Sequence, residues 1–182
     1  SRKTPGVYIQ EIDAFPPTVV GAATAVPAFI GYTPQTSYQD ESYLDQAVKI
    51  TSLEEFKKRY MLPDSARQYN PQYYLVEEKA QSGSGSNLVI NGKHYAVVPD
   101  PYTIYYLYNS IRLFYQNGGG DAYIVSVGPY GPPSGKAGIP GEQIGNPNVS
   151  LTDLEAGLEL LKNEEEPTMY IIPEATLLSV ED

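Results

Sequence analysis

Pro5-Gly6 and Phe15-Pro16-Pro17 bracket a six-residue β-prone stretch, Val7–Ile12, and this bracketing constrains the chain more than any other feature. Proline fixes φ and has no N–H to donate, so the flanks resist folding back as a tight hairpin. A strand isolated in this way must pair with a distant strand or with one on another molecule. The next β-prone stretch, Val26–Tyr32, is a nearly continuous apolar run around PAFIGY. Such a run reads as a strand buried on both faces of a sheet.

Thr33–Leu44 is polar and tyrosine-bearing, and reads as a loop; Ala47–Ile50 reads as a short strand. Ser52 and Glu55 stand at capping-box spacing, and Leu53, Phe56 and Tyr60 share one face, which predicts a short helix to about Met61. Leu62–Val98 reads as an insertion, because Pro63, Pro71 and the tract QSGSGSN (Gln81–Asn87) oppose regular structure. Within it, Asn91-Gly92 lies between β-prone arms, Leu88–Ile90 and Lys93–Tyr95, and predicts a hairpin with a type I′ turn.

Asp100-Pro101 predicts a helix with Asp100 as N-cap and Pro101 at its first position, carried on by Ile104, Leu107, Tyr108, Ile111 and Phe114. Asn117-Gly118-Gly119-Gly120 ends it, glycine tolerating the left-handed conformation after a helix. Ala122–Val127 reads as a buried strand and Gly128–Pro147, rich in glycine and proline, as a long surface loop. Ser150–Asn163 is the next helix, with Thr152 and Glu155 at capping-box spacing and Leu154, Leu158 and Leu161 as its buried stripe. Thr168–Ile172 is a further strand, stopped by Pro173. Helix, strand, helix, strand in succession predicts an α/β sheet with parallel neighbours and right-handed crossovers. The last strand lacks a covering helix in this stretch, which predicts that the natural protein continues past Asp182.

Composition narrows the function. The chain has 182 residues, no cysteine, one histidine, seventeen tyrosines, no tryptophan and a net charge of −10. Residues 151–182 carry −8 of that charge, and no basic stripe occurs anywhere, which argues against nucleic acid and anionic membranes. No apolar run approaches bilayer length and no apolar segment follows the two N-terminal basic residues, so neither direct membrane insertion nor a secretory signal is expected. Without cysteine there is no thiol nucleophile, disulfide or Cys-ligated metal. Tyrosine offers a large contact area with a polar tip; it suits surfaces buried on association, although most individual tyrosines lie at core edges.

The candidate chemical motifs dissolve on inspection. Gly131-Pro132-Pro133-Ser134-Gly135-Lys136 is one residue short of a phosphate loop, and Ala137 stands where Ser or Thr would bind magnesium. Gly118–Gly120 precedes a strand, whereas a dinucleotide fingerprint follows one. His94 stands alone on the hairpin, and Glu164-Glu165-Glu166 reads as a solvated helix terminus serving solubility or a basic partner. Asn148-Val149-Ser150 is a sequon without a secretory context. No catalytic residue, metal or cofactor is expected.

Three stretches, in this order, resemble the contractile tail sheath family of contractile phages, R-type bacteriocins and phage-tail-like injection systems. They are PGVYIQEI (Pro5–Ile12) followed by VGAATAVPAFIGYTP (Val20–Pro34), VKITSLEEFKKRY (Val48–Tyr60), and LYNSIRLFYQNGGGDAYIVSVG (Leu107–Gly128). The resemblance implies a homo-oligomer of stacked sheath rings around an inner tube protein, joined at its ends by baseplate and tail-terminator proteins. It implies assembly in the bacterial cytoplasm into a virion tail or phage-tail-like particle. Sheath contraction would drive the tube through a target envelope without consuming nucleotide.

It further implies that extended arms add strands to neighbouring subunits. Val7, Tyr8, Ile9, Gln10, Glu11 and Ile12 would be the inter-subunit arm, and Asp13, Ala14, Phe15, Pro16, Pro17 and Thr18 its hinge. The expected organisation is arm and hinge over 1–18, the first part of an α/β core over 19–61, a hairpin-containing insertion over 62–99, and the continuation of the core over 100–182. The fold class expected is α/β, a partly parallel sheet with flanking helices, incomplete at its C-terminal end; tube contacts and a second arm would follow residue 182. Two other readings stand beside this one: a non-catalytic protein- or carbohydrate-binding module with a tyrosine-rich acidic surface, and an α/β enzyme whose site lies past residue 182.

Overall fold

The computed structural model describes residues 25–62, 71–78, 88–140 and 144–178. Their centre is a four-stranded sheet in the order β4-β8-β1-β9, formed by β1 (Pro27–Gly31), β4 (Ala47–Ile50), β8 (Ala122–Ser126) and β9 (Met169–Ile171). β1 runs parallel to both its neighbours, with Phe29 opposite Ile124 on one side and Ile171 on the other. β4 is antiparallel to β8, pairing Ile50 with Ala122, so the sheet is mixed. β8 and β9 follow each other in the chain as strands but flank β1 on opposite sides.

Alternation along the strands divides the core into two. Phe29, Ile50, Ala122 and Ile124 face one side, where α1 (Leu53–Tyr60) and α2 (Tyr106–Gln116) supply Phe56, Tyr60, Leu107 and Ile111. Ala28, Ile30, Tyr123 and Val125 face the other, covered by Leu154 of α3 (Leu151–Leu160) and by Leu161. Covering both faces is what a parallel strand such as β1 requires, and all five of its residues are buried. Each large apolar side chain so buried contributes about 1.5–3 kcal/mol. Gly157 lets α3 lie close to the sheet: a Cβ there would sit 2.7 Å from the side chains of Ile30 and Val127.

Ser52 caps α1, its hydroxyl accepting from the Glu55 N–H at 3.2 Å, while Glu55 reaches past Ser52 to the Thr51 N–H at 2.9 Å. α3 starts differently from expectation. Ser150, rather than Thr152, is its N-cap and accepts from the Asp153 N–H, because Ser150 is itself held through its N–H by the Tyr32 hydroxyl. Residues Thr33–Leu44 are not simply a loop: β2 (Ser37–Tyr38) and β3 (Glu41–Ser42) pair through Gln39 and Asp40, both at positive φ. Gln at such a position is not a recognised turn signal, which is why the pattern conceals it.

A separate three-stranded antiparallel sheet has the order β5-β7-β6, with β5 (Tyr73–Glu78), β6 (Leu88–Ile90) and β7 (Lys93–Pro99). Asn91 and Gly92, at φ of 51° and 78°, join β6 to β7. β5 corrects the expectation that the stretch before the glycine–serine tract lacks regular structure; its six residues pair with β7 from Tyr73↔Pro99 to Glu78↔His94. The sheet joins the body through Asp100 N–H to Gln72 C=O at 2.7 Å and Gln72 N–H to the Thr103 hydroxyl at 2.9 Å.

Candidate functional site

The arm and hinge, Val7–Ile12 and Asp13–Thr18, lie outside the described residues. Among the described residues, the polar chemistry that the sequence does not announce gathers where α2 begins. Asp100 caps only a 3₁₀ turn, Pro101–Thr103; Ile104 and Tyr105 are then extended, and α2 starts at Tyr106. Asp100 and Pro101 therefore do not open the long helix. Tyr105 occupies the N-cap position of α2 and provides no side-chain cap.

The missing acceptor comes from Glu174, in the turn Pro173–Leu177 after β9. Its Oε1 accepts from the Leu107 N–H at 3.2 Å and from the Tyr130 hydroxyl at 3.1 Å. A carboxylate at a helix N-terminus satisfies an orphan amide and meets the positive end of the helix dipole. Glu174 is nevertheless fully buried, and its Oε2 has no hydrogen-bond partner. Gly31 makes this burial possible, since a Cβ at that position would collide with Oε2. Burial pushes the carboxyl up to about 7, with the N–H dipoles of Glu174, Leu107 and Tyr32 and the Tyr130 hydroxyl pulling the other way.

Tyrosines enclose this acid. Tyr130 stacks between Tyr32 and Tyr105, with ring centroids 5.0 and 4.6 Å away. Tyr32 donates to Asp153 Oδ2 and accepts from the Ser150 N–H, both at 2.9 Å, which ties the stack to the start of α3. Burial, with Asp153 adding to it, pushes the Tyr32 hydroxyl up to about 12; burial does the same to Tyr105. The Tyr130 hydroxyl is raised further by burial and then by Glu174. The segment Gly128–Pro147 is thus more than a surface loop, because Tyr130 and Asn146 are buried and Tyr106 donates its hydroxyl proton to the Ile144 carbonyl.

The rejected phosphate loop has its own explanation in this geometry. Asp100 accepts from the Ser134 hydroxyl at 2.7 Å and from the Gly135 N–H at 2.9 Å, so the donors face a carboxylate. Gly118, at φ 82°, follows the last turn of α2, where Asn117 and Gly119 N–H groups cap its carbonyls. His94 lies on β7, partly buried, with Nδ1 lacking a partner among the described residues. Glu166 is not merely solvated: it accepts from Lys49 at 2.7 Å and Tyr123 at 3.1 Å, and the Lys49 contact and then the Tyr123 contact lower its carboxyl. Among the described residues no group of three or more His, Asp or Glu could hold a metal, and no helix is long and apolar enough to cross a membrane.

Several surfaces are left uncovered. β9 lies at the edge of the central sheet, with Met169 and Tyr170 half exposed. An open groove of about 890 Å³ lies beside the contact of β1 and β9 with α2 and is lined chiefly by Val26, Phe29, Leu113, Phe114 and Ile171. On the three-stranded sheet, Tyr73, Leu75, Val97, Leu88 and Ile90 share one exposed face, with Tyr73 61% and Leu75 51% accessible. The Lys93–Glu77 pair borders that face at 2.9 Å. No protein-family model matches the chain, and no curated protein matches its sequence.

Proposed function

We propose that this chain is a structural subunit of a contractile tail sheath, polymerising around an inner tube and linked to its neighbours by β-strand addition. The observation that carries the reading is the meeting, in one body, of the stretches that resemble that family. The described part of Val20–Pro34 contains β1, Val48–Tyr60 contains α1 and most of β4, and Leu107–Gly128 contains β8 and nearly all of α2. β4, β8 and β1 are successive neighbours in the sheet, and α1 and α2 share one face of it. Residues 62–99, outside the resemblance, contribute the separate three-stranded sheet, which fits an outward decoration of a common core.

In this reading Val7–Ile12 is the arm that joins a neighbour's sheet, and Asp13–Thr18 the hinge that lets subunit bodies rotate while main-chain hydrogen bonds persist. The subunit works as a mechanical element in a metastable lattice and contributes no catalytic group. Its partners are further copies of itself, the tube, and the baseplate and terminator proteins. Negative-stain microscopy of the natural gene product tests this: tubes or stacked rings are expected, and a stable monomer at high concentration overturns it. Ile9→Pro should block polymerisation while leaving the monomer folded, and normal sheaths from that variant would reject the arm.

The exposed face of Tyr73, Leu75, Val97, Leu88 and Ile90 favours one second reading, a protein- or carbohydrate-binding module. A stable monomer that binds a discrete ligand, and loses it on Tyr73→Ala, would decide for that alternative.

A further inference from the structure

Glu174 joins three segments that are distant in the chain. Its side chain reaches the first turn of α2 through Leu107, the Gly128–Pro147 segment through Tyr130, and the end of β1 at Gly31. One carboxyl oxygen is satisfied twice and the other not at all. What favours the neutral form is burial: a fully buried carboxyl has no water to hydrate a charge, and as a neutral acid it still offers Oε1 as acceptor to its two donors.

Among the described residues, no cation figures in the interactions of this carboxyl. From α2, Tyr106 faces the carboxyl; from the end of β1, Tyr32; from the Gly128–Pro147 segment, Tyr130, with Tyr105 stacked on it; and behind Tyr32, Asp153. Every one of these groups is an acid, and no cation is among them. Ionisation would therefore leave a carboxylate among tyrosines and near a second carboxylate.

We propose that Glu174 is a proton-operated latch: as a neutral carboxyl it holds the Pro173–Leu177 turn against the start of α2 and the Tyr130 ring, and it releases that turn when the proton leaves. The proton passes to solvent. Glu174 then turns outward to hydrate its charge, the Leu107 amide and Tyr130 hydroxyl lose their acceptor, and the chain following β9 separates from the body. The balance between burial, which favours the neutral acid, and the donor dipoles, which favour the ion, sets the latch to act near neutrality. This inference does not depend on the sheath reading.

Two measurements on the full chain test it. Carbon-13 NMR of the Glu174 carboxyl should give a midpoint near neutrality, and a midpoint in the ordinary glutamate range overturns the latch. Amide hydrogen exchange, corrected for intrinsic rates, should show protection at Leu107 and across 174–177 falling about tenfold or more between about pH 5.5 and about pH 8.5. Glu174→Gln keeps an acceptor oxygen and cannot ionise, so its protection should stay flat over that range. Equal pH dependence in both proteins, or flat protection in the wild type, overturns the proposal. Should the glutamine variant fail to fold, the carboxyl titration of the wild type still decides.

Discussion

Glu174 Oε1 accepts a hydrogen bond from the Leu107 N–H at 3.2 Å, across 67 residues of sequence. That contact caps a helix which has no side-chain cap of its own, and it does so with an acid buried behind a glycine. Local and long-range structure are coupled there, and the coupling has measurable consequences.

Stability should fall as pH rises through the weakly acidic range. The Glu174 carboxyl is raised from the ordinary 4.5 to about 7 in the folded chain, so the folded state holds this proton more tightly than the unfolded state. The contribution is fully present below pH 4.5, is lost between there and about pH 7, and amounts to about 3 kcal/mol. Urea denaturation of the wild type minus that of Glu174→Gln isolates it. A difference that does not change with pH would contradict the assignment.

Gly31→Ala should destabilise the fold by about 1–3 kcal/mol, because its Cβ would enter the space of the Glu174 carboxyl. In a Glu174→Ala background the same change should cost much less. A double-mutant cycle measures the coupling, expected above about 0.5 kcal/mol; strict additivity would separate the two residues.

Gly157→Ala inverts the usual helix rule. Alanine is favoured over glycine by about 1 kcal/mol inside an exposed helix. Here the added methyl meets Ile30 and Val127 at 2.7 Å, so a net loss of about 1–3 kcal/mol is expected in thermal or urea unfolding.

Tyr130 separates ring from hydroxyl. Tyr130→Phe removes the donor to Glu174 and should cost about 1–2 kcal/mol. Tyr130→Ala also empties the space between Tyr32 and Tyr105 and should cost about 3–5 kcal/mol. Equal costs for the two variants would mean that the stack contributes nothing.

Short-range signals made parts of this protein legible in sequence. Ser52 with Glu55 announces α1, and the alternation of apolar runs with helical periods announces a mixed α/β fold with a partly parallel sheet. These succeed because caps and strand propensity act between residues a few positions apart. Tertiary contacts decided the rest. The start of α2 at Tyr106 instead of Pro101, the cap of α3 at Ser150, the antiparallel placement of β4 and the pairing of β5 with β7 each depend on a partner remote in sequence. Glu174 is the sharpest case. By residue type it belongs on the surface, and only the meeting of Gly31, Leu107 and Tyr130 creates a site in which its burial is tolerated, since no local pattern encodes the desolvation that results.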